Sequence, residues 1–556
     1  IKDDILIYKN IIDFKTQTIK KEKFPKLNVI QKNAVKEILS PTLENNSNIF
    51  LLDGVTGSGK TEVYLEIISN ELKKKKQCLV LIPEIVLSNY FMDRFVERFN
   101  FLPALWHSDV SKKNKHRTWR QILNGELKVV IGARSALFLP FKNLSLIVVD
   151  EEHDTSYKQE DGVIYNARDM AVVRGRFSNS KVILGSATPS LESIYNAKIG
   201  KYYKILLSER YGSAKMPEIN LVDMQKEKLP SNKWIAQESI NAIKKALDNN
   251  EQVLLYINRR GYSPLTLCRS CGHRFSCPNC SSWLVEHRKT NILLCHHCGY
   301  QEKKPDECPS CNSKEEFAPC GPGVERLAAE AKSLFPNARL EIIASDTLNS
   351  NDKAENIFKT ISNGEVDIIV GTQLIAKGHN FLNLTTVIAV DADLGLSGGD
   401  LRASERTFQM LTQLAGRAGR ANKKGHAYIQ SYDSNHNVMK AIQTGNIKSF
   451  IKAESEGREF RKLPPYGRLA SLIIQSSNLL KLENFLKLVS SKIPKKYIHS
   501  DRIDVLGPAP APIAKLRTFY RYRFLLKSKD DTRIQPFIKE WLRNIKLPNG
   551  IRIKID

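Results

Sequence analysis

One eight-residue segment, Gly54–Thr61, constrains the fold of this chain more than any other feature. It reads Gly-Val-Thr-Gly-Ser-Gly-Lys-Thr, which matches the pattern G-x-x-x-x-G-K-[ST], and it follows the apolar run Ile49–Leu52. Such glycines let backbone N–H groups surround a β-phosphate, and the next helix N-terminus adds a favourable dipole. We expect Lys60 to reach the β- and γ-phosphates and Thr61 to ligate Mg²⁺. The other predicted nucleotide contacts are Gly54, Gly57, Ser58 and Gly59.

A second apolar run, Leu146–Val149, ends in the tetrapeptide Asp150-Glu151-Glu152-His153. Phosphoryl transfer to water needs one carboxylate on Mg²⁺ and another group that orients the attacking water. Asp150 fits the first role and Glu151 the second. Taken alone, an acidic cluster after a strand is typical of a solvated loop or a helix N-cap. Its combination with a phosphate-binding loop favours the catalytic interpretation.

A third segment, Gln413–Arg420, places two arginines three residues apart, and a helix would point both in one direction. Arginine supplies the planar charge that stabilises a phosphoryl-transfer transition state. Arg417 and Arg420 are therefore candidate catalytic residues. The alternative is a basic surface helix, which glycines at 416 and 419 disfavour.

Eight of the ten cysteines lie in four C-x-x-C pairs, which are Cys268/Cys271, Cys277/Cys280, Cys295/Cys298 and Cys308/Cys311. A disulfide framework would suit a small secreted protein, and nothing in the sequence indicates that context. Eight thiolates suffice for two tetrahedral Zn²⁺ sites of four cysteines each. The spacing does not decide which pairs share an ion. We predict Cys78 and Cys320 to be ordinary thiols.

The net charge of +26, from 85 Lys and Arg against 59 Asp and Glu, favours a polyanionic partner. A general lysine bias of the source genome is the alternative. Residues 441–556 hold 24 basic and 10 acidic residues, a net charge of +14, which points to a distinct basic C-terminal domain.

Short apolar strands alternate with amphipathic runs, which is typical of parallel α/β sheets. The strands are predicted at Asn48–Asp53, Gln77–Ile82, Lys128–Gly132, Leu144–Asp150 and Lys181–Gly185, and then at Gln252–Asn258, Leu340–Ala344, Asp367–Gly371, Thr386–Asp391 and His426–Ser431. We predict an α/β protein with two parallel-sheet lobes at 27–222 and 223–440. A zinc-binding insertion at 262–321 lies within the second lobe, and an α+β domain occupies 441–556.

The apolar content of 42% is enough for sizeable cores, and no run approaches the roughly 18 apolar residues that span a bilayer. We therefore expect a soluble intracellular protein. Because residue 1 is Ile rather than Met, we also expect a chain truncated at its N-terminus.

These motifs together resemble the helicases of superfamily 2. Gly185–Thr188 resembles motif III of that group, and Gly371–His379 resembles motif V. Three further strings resemble the PriA family of replication-restart helicases in particular: Asp150–Gln159, Arg134–Phe138, and Asn258–Gly261 directly before the cysteine-rich segment. The resemblance runs from Leu27 to the end of the chain.

The resemblance implies two RecA-like lobes and an ATP-hydrolysing 3′→5′ DNA helicase. It implies recognition of stalled or abandoned forks, unwinding of the lagging-strand arm and initiation of primosome assembly. The implied partners are forked and single-stranded DNA, primosome proteins and single-stranded DNA-binding protein, in a bacterial cytoplasm close to the nucleoid. Residues 1–26 would be a remnant of the family's N-terminal DNA-binding region.

The resemblance also implies roles for single residues. Gln31 would read adenine, Gly378 would lie near the γ-phosphate, and Arg420 would be the preferred arginine finger. The two zinc sites would be nested. Cys268, Cys271, Cys308 and Cys311 would hold one ion, and Cys277, Cys280, Cys295 and Cys298 the other.

Candidate DNA contacts follow from loops and from the C-terminal domain. Arg134, Ser135, Arg259 and Arg260 follow strands and would contact phosphates, or else form ordinary ion pairs. The segment Lys515–Phe524 interleaves cations with aromatic residues. Its cations Lys515, Arg517, Arg521 and Arg523 would contact phosphates, whereas its aromatic residues would stack on bases or face a core. By resemblance, Tyr157 and Tyr165 would couple DNA binding to hydrolysis.

Two other functions share these motifs. One is a general nucleic-acid translocase or RNA helicase, and the other is a fork-binding scaffold with dispensable hydrolysis. The cysteine-rich insertion would act as a wedge that separates DNA strands, as a docking site for proteins, or only as a structural element that stabilises the fold.

Overall fold

The structure is a computed structural model. It describes residues 26–40, 48–83, 89–211, 216–227, 229–230, 233–258, 265–268, 270–275, 278, 284–287, 292–294, 300–314, 317–320, 323–344, 351–372, 375, 381–396, 400–419, 423–494, 502–516, 518–528 and 532–556. The predicted N-terminal remnant, residues 1–26, lies outside these ranges except for its last residue.

The first lobe is a parallel sheet with helices on both faces. Its strands are β1 Ile49–Gly54, β2 Gln77–Leu81, β3 Ala104–Trp106, β4 Val129–Gly132, β5 Leu144–Val149, the hairpin β6 Lys158–Gln159 and β7 Tyr165–Asn166, β8 Lys181–Ser186 and β9 Tyr203–Leu207. The helices are α1 Val29–Leu39, α2 Lys60–Lys73, α3 Asn89–Phe99, α4 Lys112–Leu123, α5 Ala167–Phe177 and α6 Leu191–Lys198. The seven-stranded sheet has the order β3-β4-β2-β5-β8-β1-β9.

Strand β1 explains why this lobe packs on two faces. Phe50 and Leu52 join one buried cluster with α1, α2 and α3. Ile49 and Leu51 point the other way, into a second cluster that includes residues of α4 and α5. Side chains alternate along a strand, so a strand covered on both faces must be apolar throughout.

The second lobe repeats this arrangement and carries a separate antiparallel sheet as an insertion. The strands that follow are β10 Glu218–Asp223, β11 Gln252–Ile257, β12 Leu265–Cys268, β13 Val285–His287, β14 Ile292–Leu294, β15 Gln301–Lys303, β16 Phe317–Cys320, β17 Leu340–Ile343, β18 Ile368–Gly371, β19 Leu384–Val390 and β20 His426–Ser431. The helices are α7 Gln237–Asp248, α8 Val324–Leu334, α9 Asn351–Ser362, α10 Ala403–Ala415, α11 Asn437–Thr444 and α12 Ile447–Phe460. The parallel sheet has the order β10-β20-β19-β11-β18-β17, and the inserted sheet has the order β15-β14-β13-β12-β16.

The C-terminal part is an antiparallel sheet with two helices packed on it. Its elements are β21 Arg468–Ser476, α13 Leu479–Ser491, β22 Ile503–Leu516, β23 Phe519–Ser528, α14 Ile534–Leu542 and β24 Ile551–Ile555, with the strand order β22-β23-β21-β24. Phe524 and Trp541 meet edge to face in its core, with ring centroids 5.2 Å apart. This agrees with the predicted α+β character.

All ten predicted strands are present within two residues of their expected ends. In the two large parallel sheets, three strands were not predicted: β3, β9 and β10. Each lies at the edge of its sheet, where one side is uncovered and the apolar pattern is weaker. Strand β10 pairs in parallel with β20, so the expected boundary at 222/223 falls inside a strand of the second lobe's sheet.

Within the described residues, no helix combines the length and the apolar character that crossing a membrane requires.

Candidate nucleotide and metal sites

The phosphate-binding loop lies between the end of β1 and the start of α2, as expected. Lys60 Nζ donates to the Gly54 carbonyl at 2.8 Å. Gly57 and Gly59 have φ values of +82° and +77°, which an L side chain rarely adopts. A Cβ on Gly54 would lie 2.6 Å from Ser58 Oγ. The loop therefore keeps a glycine-lined concavity at a helix N-terminus, which fits a phosphate group.

An unused polar atom supports the same fit. Ser58 is 2% exposed, and its Oγ has no hydrogen-bond partner among the described residues. A buried hydroxyl without a partner costs free energy, and a phosphate oxygen would satisfy it.

Gln31 links the start of α1 to this loop. Its Nε2 donates to the Ser58 carbonyl at 2.9 Å, and its Oε1 accepts from the Asn28 N–H at 3.0 Å. A Cβ on Gly59 would lie only 2.2 Å from Gln31 Nε2. Both ends of the Gln31 amide are thus bonded to protein, and its predicted contact with adenine remains a prediction.

Asp150 lies at the end of β5, where Tyr64 of α2 holds it. The Tyr64 hydroxyl donates to Asp150 Oδ1 at 3.1 Å. Burial, with a smaller effect from the Glu151 charge, raises the pKa of Asp150 to about 7, while Lys60 and the Tyr64 hydrogen bond act in the opposite direction. Added positive charge stabilises the ionised form of a buried carboxyl group, so Asp150 is suited to bind a divalent cation.

Tyr64 was not predicted as a site residue. It lies four residues after Lys60 and is fully buried, and a Cβ on Gly185 would stand 1.6 Å from its hydroxyl. The glycine that opens the motif III resemblance therefore makes room for this tyrosine. The sequence signal that could have identified Tyr64 is its helical spacing, four residues after Lys60, which turns its side chain toward the sheet.

Glu151, His153 and Gln413 meet between the two lobes. Gln413 Nε2 donates to Glu151 Oε2 at 3.1 Å and lies 3.0 Å from His153 Nε2. An amide NH₂ only donates, so His153 Nε2 accepts, and its Nδ1–H then donates to Ser186 Oγ at 2.7 Å. Four residues from the two lobes thus form one hydrogen-bonded chain.

Glu152 has a different role from the two preceding acids. It is 1% exposed and accepts from the Ser190 N–H at 2.7 Å and from Ser193 Oγ at 2.9 Å. Arg168 Nη1 lies 3.3 Å from it. Glu152 therefore fixes the start of α6 rather than facing the nucleotide site.

Arg210, which was not predicted either, joins the phosphate-binding loop to the arginine segment. Its Nη1 donates to the Gly419 carbonyl and its Nη2 to the Gly416 carbonyl, both at 2.9 Å. The adjacent Tyr211 N–H donates to the Gly57 carbonyl at 2.9 Å. Segment 208–211 therefore connects the two loops that would contact opposite sides of a nucleotide.

The arginine segment itself departs from the prediction. Helix α10 ends at Ala415, and Arg417 lies in the following turn, where its N–H donates to the Leu414 carbonyl. Gly419 has a φ of +66°, and a Cβ there would lie 2.2 Å from the Gly425 nitrogen. The expectation that Arg417 and Arg420 share a helix face is therefore wrong for Arg417. Arg420 and Gly378 lie outside the described residues.

Four of the eight cysteines come together. The sulfurs of Cys268, Cys271, Cys308 and Cys311 all lie within 4.8 Å of one another. The Cys268–Cys311 and Cys271–Cys308 sulfur pairs are each 3.7 Å apart. Four thiolates at about 2.3 Å from one Zn²⁺ would stand about 3.8 Å apart, so this set fits a tetrahedral zinc site. Cys277, Cys280, Cys295 and Cys298 lie outside the described residues.

An ion pair anchors this cysteine set to the second lobe. Arg274, three residues after Cys271, lies 2.7 Å from Asp391 and 3.5 Å from Asp393. Ser431 Oγ and the Tyr432 N–H also donate to Asp393, each at 2.6 Å. The insertion is therefore tied to the lobe through a buried, charged contact.

Two of the predicted DNA contacts in the first lobe have other partners. Arg134 Nη1 donates to the carbonyls of Ser156 at 3.0 Å and Lys158 at 2.8 Å, so it holds the loop after the acidic tetrapeptide. Tyr157 is 1% exposed, and its hydroxyl donates to the Asp150 carbonyl at 2.6 Å. This burial corrects the expectation that Tyr157 contacts DNA.

The other predicted contacts differ in exposure. Ser135 is exposed, and Tyr165 is half-buried against Phe138 with ring centroids 5.1 Å apart. Arg259, Arg260 and Arg517 lie outside the described residues.

Along β23, Arg521 and Arg523 alternate with Tyr520, Tyr522 and Phe524, so these two sets point to opposite faces of the strand. Lys515 lies on β22, with its Nζ 4.8 Å from the centre of the Tyr520 ring. Lys515 is exposed, and Arg521 and Arg523 are half-buried. Phe524 is fully buried, and Tyr520 and Tyr522 pack against the same core. The alternation therefore turns Tyr520, Tyr522 and Phe524 inward, which favours the core interpretation for them over base stacking. Phe519 is half-buried, and the Arg552 guanidinium lies 4.8 Å from its ring.

Four family descriptions match successive parts of the sequence. Residues 28–197 match the DEAD/DEAH box helicase family, and residues 313–422 match the helicase conserved C-terminal domain. Residues 277–303 match the PriA DNA helicase Cys-rich region domain, and residues 460–556 match the primosomal protein N C-terminal domain.

Among solved structures, RecG bound to a three-way DNA junction aligns with 87% of this chain and 54% of that protein, at 18% identity and a TM-score of 0.46. That similarity is too low to support an inference about function.

Relatives found by sequence have a much higher identity to this chain. Replication restart protein PriA of Rickettsia felis is 47% identical over 533 residues, which cover 96% of this chain and 81% of the relative. The proteins of the same name from Bacillus subtilis and Haemophilus influenzae are each 38% identical, over 93% and 92% of this chain and 64% and 69% of their own lengths. With both helicase domains, the cysteine-rich region and the C-terminal domain present in order, the chain belongs to the PriA family of replication restart proteins.

Proposed function

We propose that this chain is an ATP-dependent 3′→5′ DNA helicase that acts at stalled or abandoned replication forks. It unwinds the lagging-strand arm there and initiates primosome assembly. The observation that carries the proposal is the hydrogen bond between Gln413 and Glu151. It joins an arginine-containing segment of one lobe to the acidic tetrapeptide of the other. A motor needs such a contact because ATP must be sensed from both lobes at once.

The proposed chemistry divides between the lobes. Lys60 exchanges the Gly54 carbonyl for phosphate oxygens when ATP binds, and Thr61 and Asp150 would hold Mg²⁺. A bound Mg²⁺ would supply positive charge that stabilises the transferred phosphoryl group. Glu151 orients the attacking water, and Arg417 and Arg420 stabilise the charge that develops on the transferred phosphoryl group.

The same contacts explain how hydrolysis would move a strand. Gln413 fixes Glu151, and Arg210 fixes the carbonyls that flank Arg417, so closing the lobes completes the site. Loss of the γ-phosphate removes the charge that holds the lobes together. Alternation between the closed and open states of the two lobes then changes which lobe binds the DNA strand tightly.

We also propose two Zn²⁺ ions. The set Cys268, Cys271, Cys308 and Cys311 has the sulfur spacing for the first. The set Cys277, Cys280, Cys295 and Cys298 would hold the second, which is supported by the match to the PriA Cys-rich region.

The remaining parts of the proposal are supported by family membership alone. They are the 3′→5′ direction, the preference for forked and single-stranded DNA, and docking of primosome proteins and single-stranded DNA-binding protein. The bacterial cytoplasm, close to the nucleoid, is the corresponding place of action.

The test is ATP hydrolysis by the whole chain with no polymer, single-stranded DNA, a forked duplex and matched RNA. We expect DNA to stimulate hydrolysis, most strongly on the fork, and Lys60→Ala to abolish it while fork binding persists. The control is Lys76→Ala, which changes an exposed lysine just beyond α2. Equal stimulation by RNA would favour a general nucleic-acid motor, and fork unwinding by Lys60→Ala would contradict the proposed motor.

A further inference from the structure

A cleft of about 770 Å³ opens on the first lobe beside the acidic tetrapeptide, outside the nucleotide site. We propose that this cleft binds an unpaired base of single-stranded DNA, with Trp119 and Phe138 as the stacking side chains. The proposal rests on the proposed DNA motor and adds to it a specific base-binding site. Trp119 lies outside the motifs that the sequence analysis identified, and Phe138 ends the string Arg134–Phe138.

The exposure of aromatic side chains is the first argument. Trp119 of α4 and Phe138 are 45% and 56% exposed, and both line the cleft together with Trp106. Apolar side chains that cluster at a surface often mark a binding site. Aromatic rings beside a cleft offer faces on which bases of any sequence can stack.

The charge of α4 is the second argument. Five cations and no acidic residue occur in this helix of 12 residues, and the cations are Lys112, Lys113, Lys115, Arg117 and Arg120. Trp119 lies on the same helix, so the stacking group and the cations come from one element. Phosphates on either side of a stacked base would meet positive charge at the rim of the cleft. Asp109, which lies 3.7 Å from His107 at the cleft, is the acidic residue beside this rim.

The lining of the cleft supplies polar groups suited to a base edge. Ser135 and Ser108 are exposed there, and the side chain of Gln159 lies at the same cleft. Burial lowers the pKa of His107, so this ring is neutral near pH 7 and offers one donor and one acceptor. Lys115 and Arg134 also line the cleft and carry positive charge. The uncharged donors and acceptors suit the edge of a nucleobase, whereas the two cations suit the phosphates beside it.

The position of the cleft also places it next to the catalytic acids. Arg134 lines the cleft and holds the loop at Ser156 and Lys158. Tyr157 lines it as well, and its hydroxyl donates to the Asp150 carbonyl. An occupant of the cleft would therefore lie beside Tyr157, whose hydroxyl is bonded to the backbone of Asp150.

A single strand fits this cleft better than a duplex because a paired base cannot leave its stack without losing its partner. The test therefore compares two fluorescent DNA oligomers of about 20 nucleotides, oligothymidine and an abasic strand of equal length. Affinity is measured by fluorescence anisotropy at one fixed salt concentration, since phosphate contacts depend on salt.

Trp119→Ala is expected to weaken binding of oligothymidine by about fivefold or more while leaving the abasic strand unaffected. Trp119→Phe keeps a stacking ring and should retain most of the affinity. Phe138→Ala should weaken oligothymidine binding in the same way. The matched control is Phe177→Ala, which removes an aromatic ring that is 89% exposed at the end of α5, away from the cleft.

Three results would overturn the inference. They are unchanged oligothymidine binding by Trp119→Ala, equal weakening on both oligomers, and equal loss from Phe177→Ala. Equally strong binding of matched RNA would contradict the assignment to DNA. If the wild-type chain neither binds the oligomers nor hydrolyses ATP faster with DNA, the proposed motor fails as well. A wild-type chain that responds to DNA while Trp119→Ala behaves identically rejects the cleft alone.

Discussion

The side-chain amide of Gln413 donates to the carboxylate of Glu151 at 3.1 Å, across the boundary between the two lobes. Glu151 has a φ of +46°, an uncommon backbone conformation for a residue other than glycine. The residue proposed to orient the attacking water is therefore held both by its own backbone and by the opposite lobe.

Removing this amide should lower turnover more than ATP binding. We expect Gln413→Ala to reduce the kcat of DNA-stimulated hydrolysis by about tenfold or more with little change in KM, because a misplaced Glu151 affects only the transition state. Gln413→Glu should be worse, since it sets a second carboxylate beside Glu151. Steady-state kinetics would measure both, with Gln443→Ala on the exposed side of α11 as the control. A rise in KM alone would contradict this role.

Arg210 should be irreplaceable by lysine. Its two nitrogens donate to two different carbonyls, at Gly416 and Gly419, and an ammonium group cannot reproduce that planar geometry. We expect Arg210→Lys and Arg210→Ala to lower kcat to a similar extent, because both free the loop that carries Arg417. The control Arg176→Ala, at an exposed position of α5, should leave kcat unchanged. Full activity of Arg210→Lys would show that its charge alone matters.

Tyr64→Phe should weaken the use of Mg²⁺. The phenol donates to Asp150 Oδ1, and removing a group that supports a metal ligand costs about 10- to 100-fold in metal affinity or activity. Titration of ATPase activity with Mg²⁺ would measure this as a higher half-saturating concentration. Tyr202→Phe, which alters a buried tyrosine elsewhere in the same lobe, is the control. An unchanged Mg²⁺ dependence would remove Tyr64 from the metal site.

The sequence was sufficient for features that a short segment specifies by itself. The runs Ile49–Leu52, Cys78–Leu81 and Leu146–Val149 are apolar throughout because both faces of these strands are covered. Asp150 directly follows the third run, and the glycine-rich loop that leads to Lys60 follows the first. Edge strands such as β9 alternate with exposed positions and were missed.

Tyr64, Glu152 and Arg210 were missed for a different reason. Each acts through partners far away in sequence: Tyr64 on Asp150, Glu152 on Ser190, and Arg210 on Gly416. Pairings of this kind depend on how the elements pack, which no local pattern encodes. The same holds for Tyr157. The resemblance implied that it couples DNA binding to hydrolysis, whereas its side chain is buried and its hydroxyl donates to the Asp150 carbonyl.

Metal analysis should find about two equivalents of zinc per chain, one for each set of four thiolates. Cys308→Ser should lose about one equivalent, because the three remaining sulfurs of its set no longer complete a tetrahedral site. Cys78→Ala changes a buried cysteine of the first lobe and should keep both. A wild-type value of one equivalent would contradict the second site, and full zinc content in Cys308→Ser would contradict the first.

Loss of the zinc ion from the site that contains Cys308 should also lower the stability of the second lobe. Arg274 follows Cys271 by three residues and pairs with Asp391 at 2.7 Å, so a disordered cysteine set would withdraw its charge from two buried carboxylates. Breaking a buried ion pair costs about 3–5 kcal/mol when one partner stays behind. We therefore expect Arg274→Ala to lower the thermal stability of the whole chain while zinc content stays near wild type. The double variant Arg274→Ala/Asp391→Asn should recover part of the loss, because it leaves one fewer unpaired charge. If the single and double variants unfold at the same temperature, the contact does not anchor the insertion.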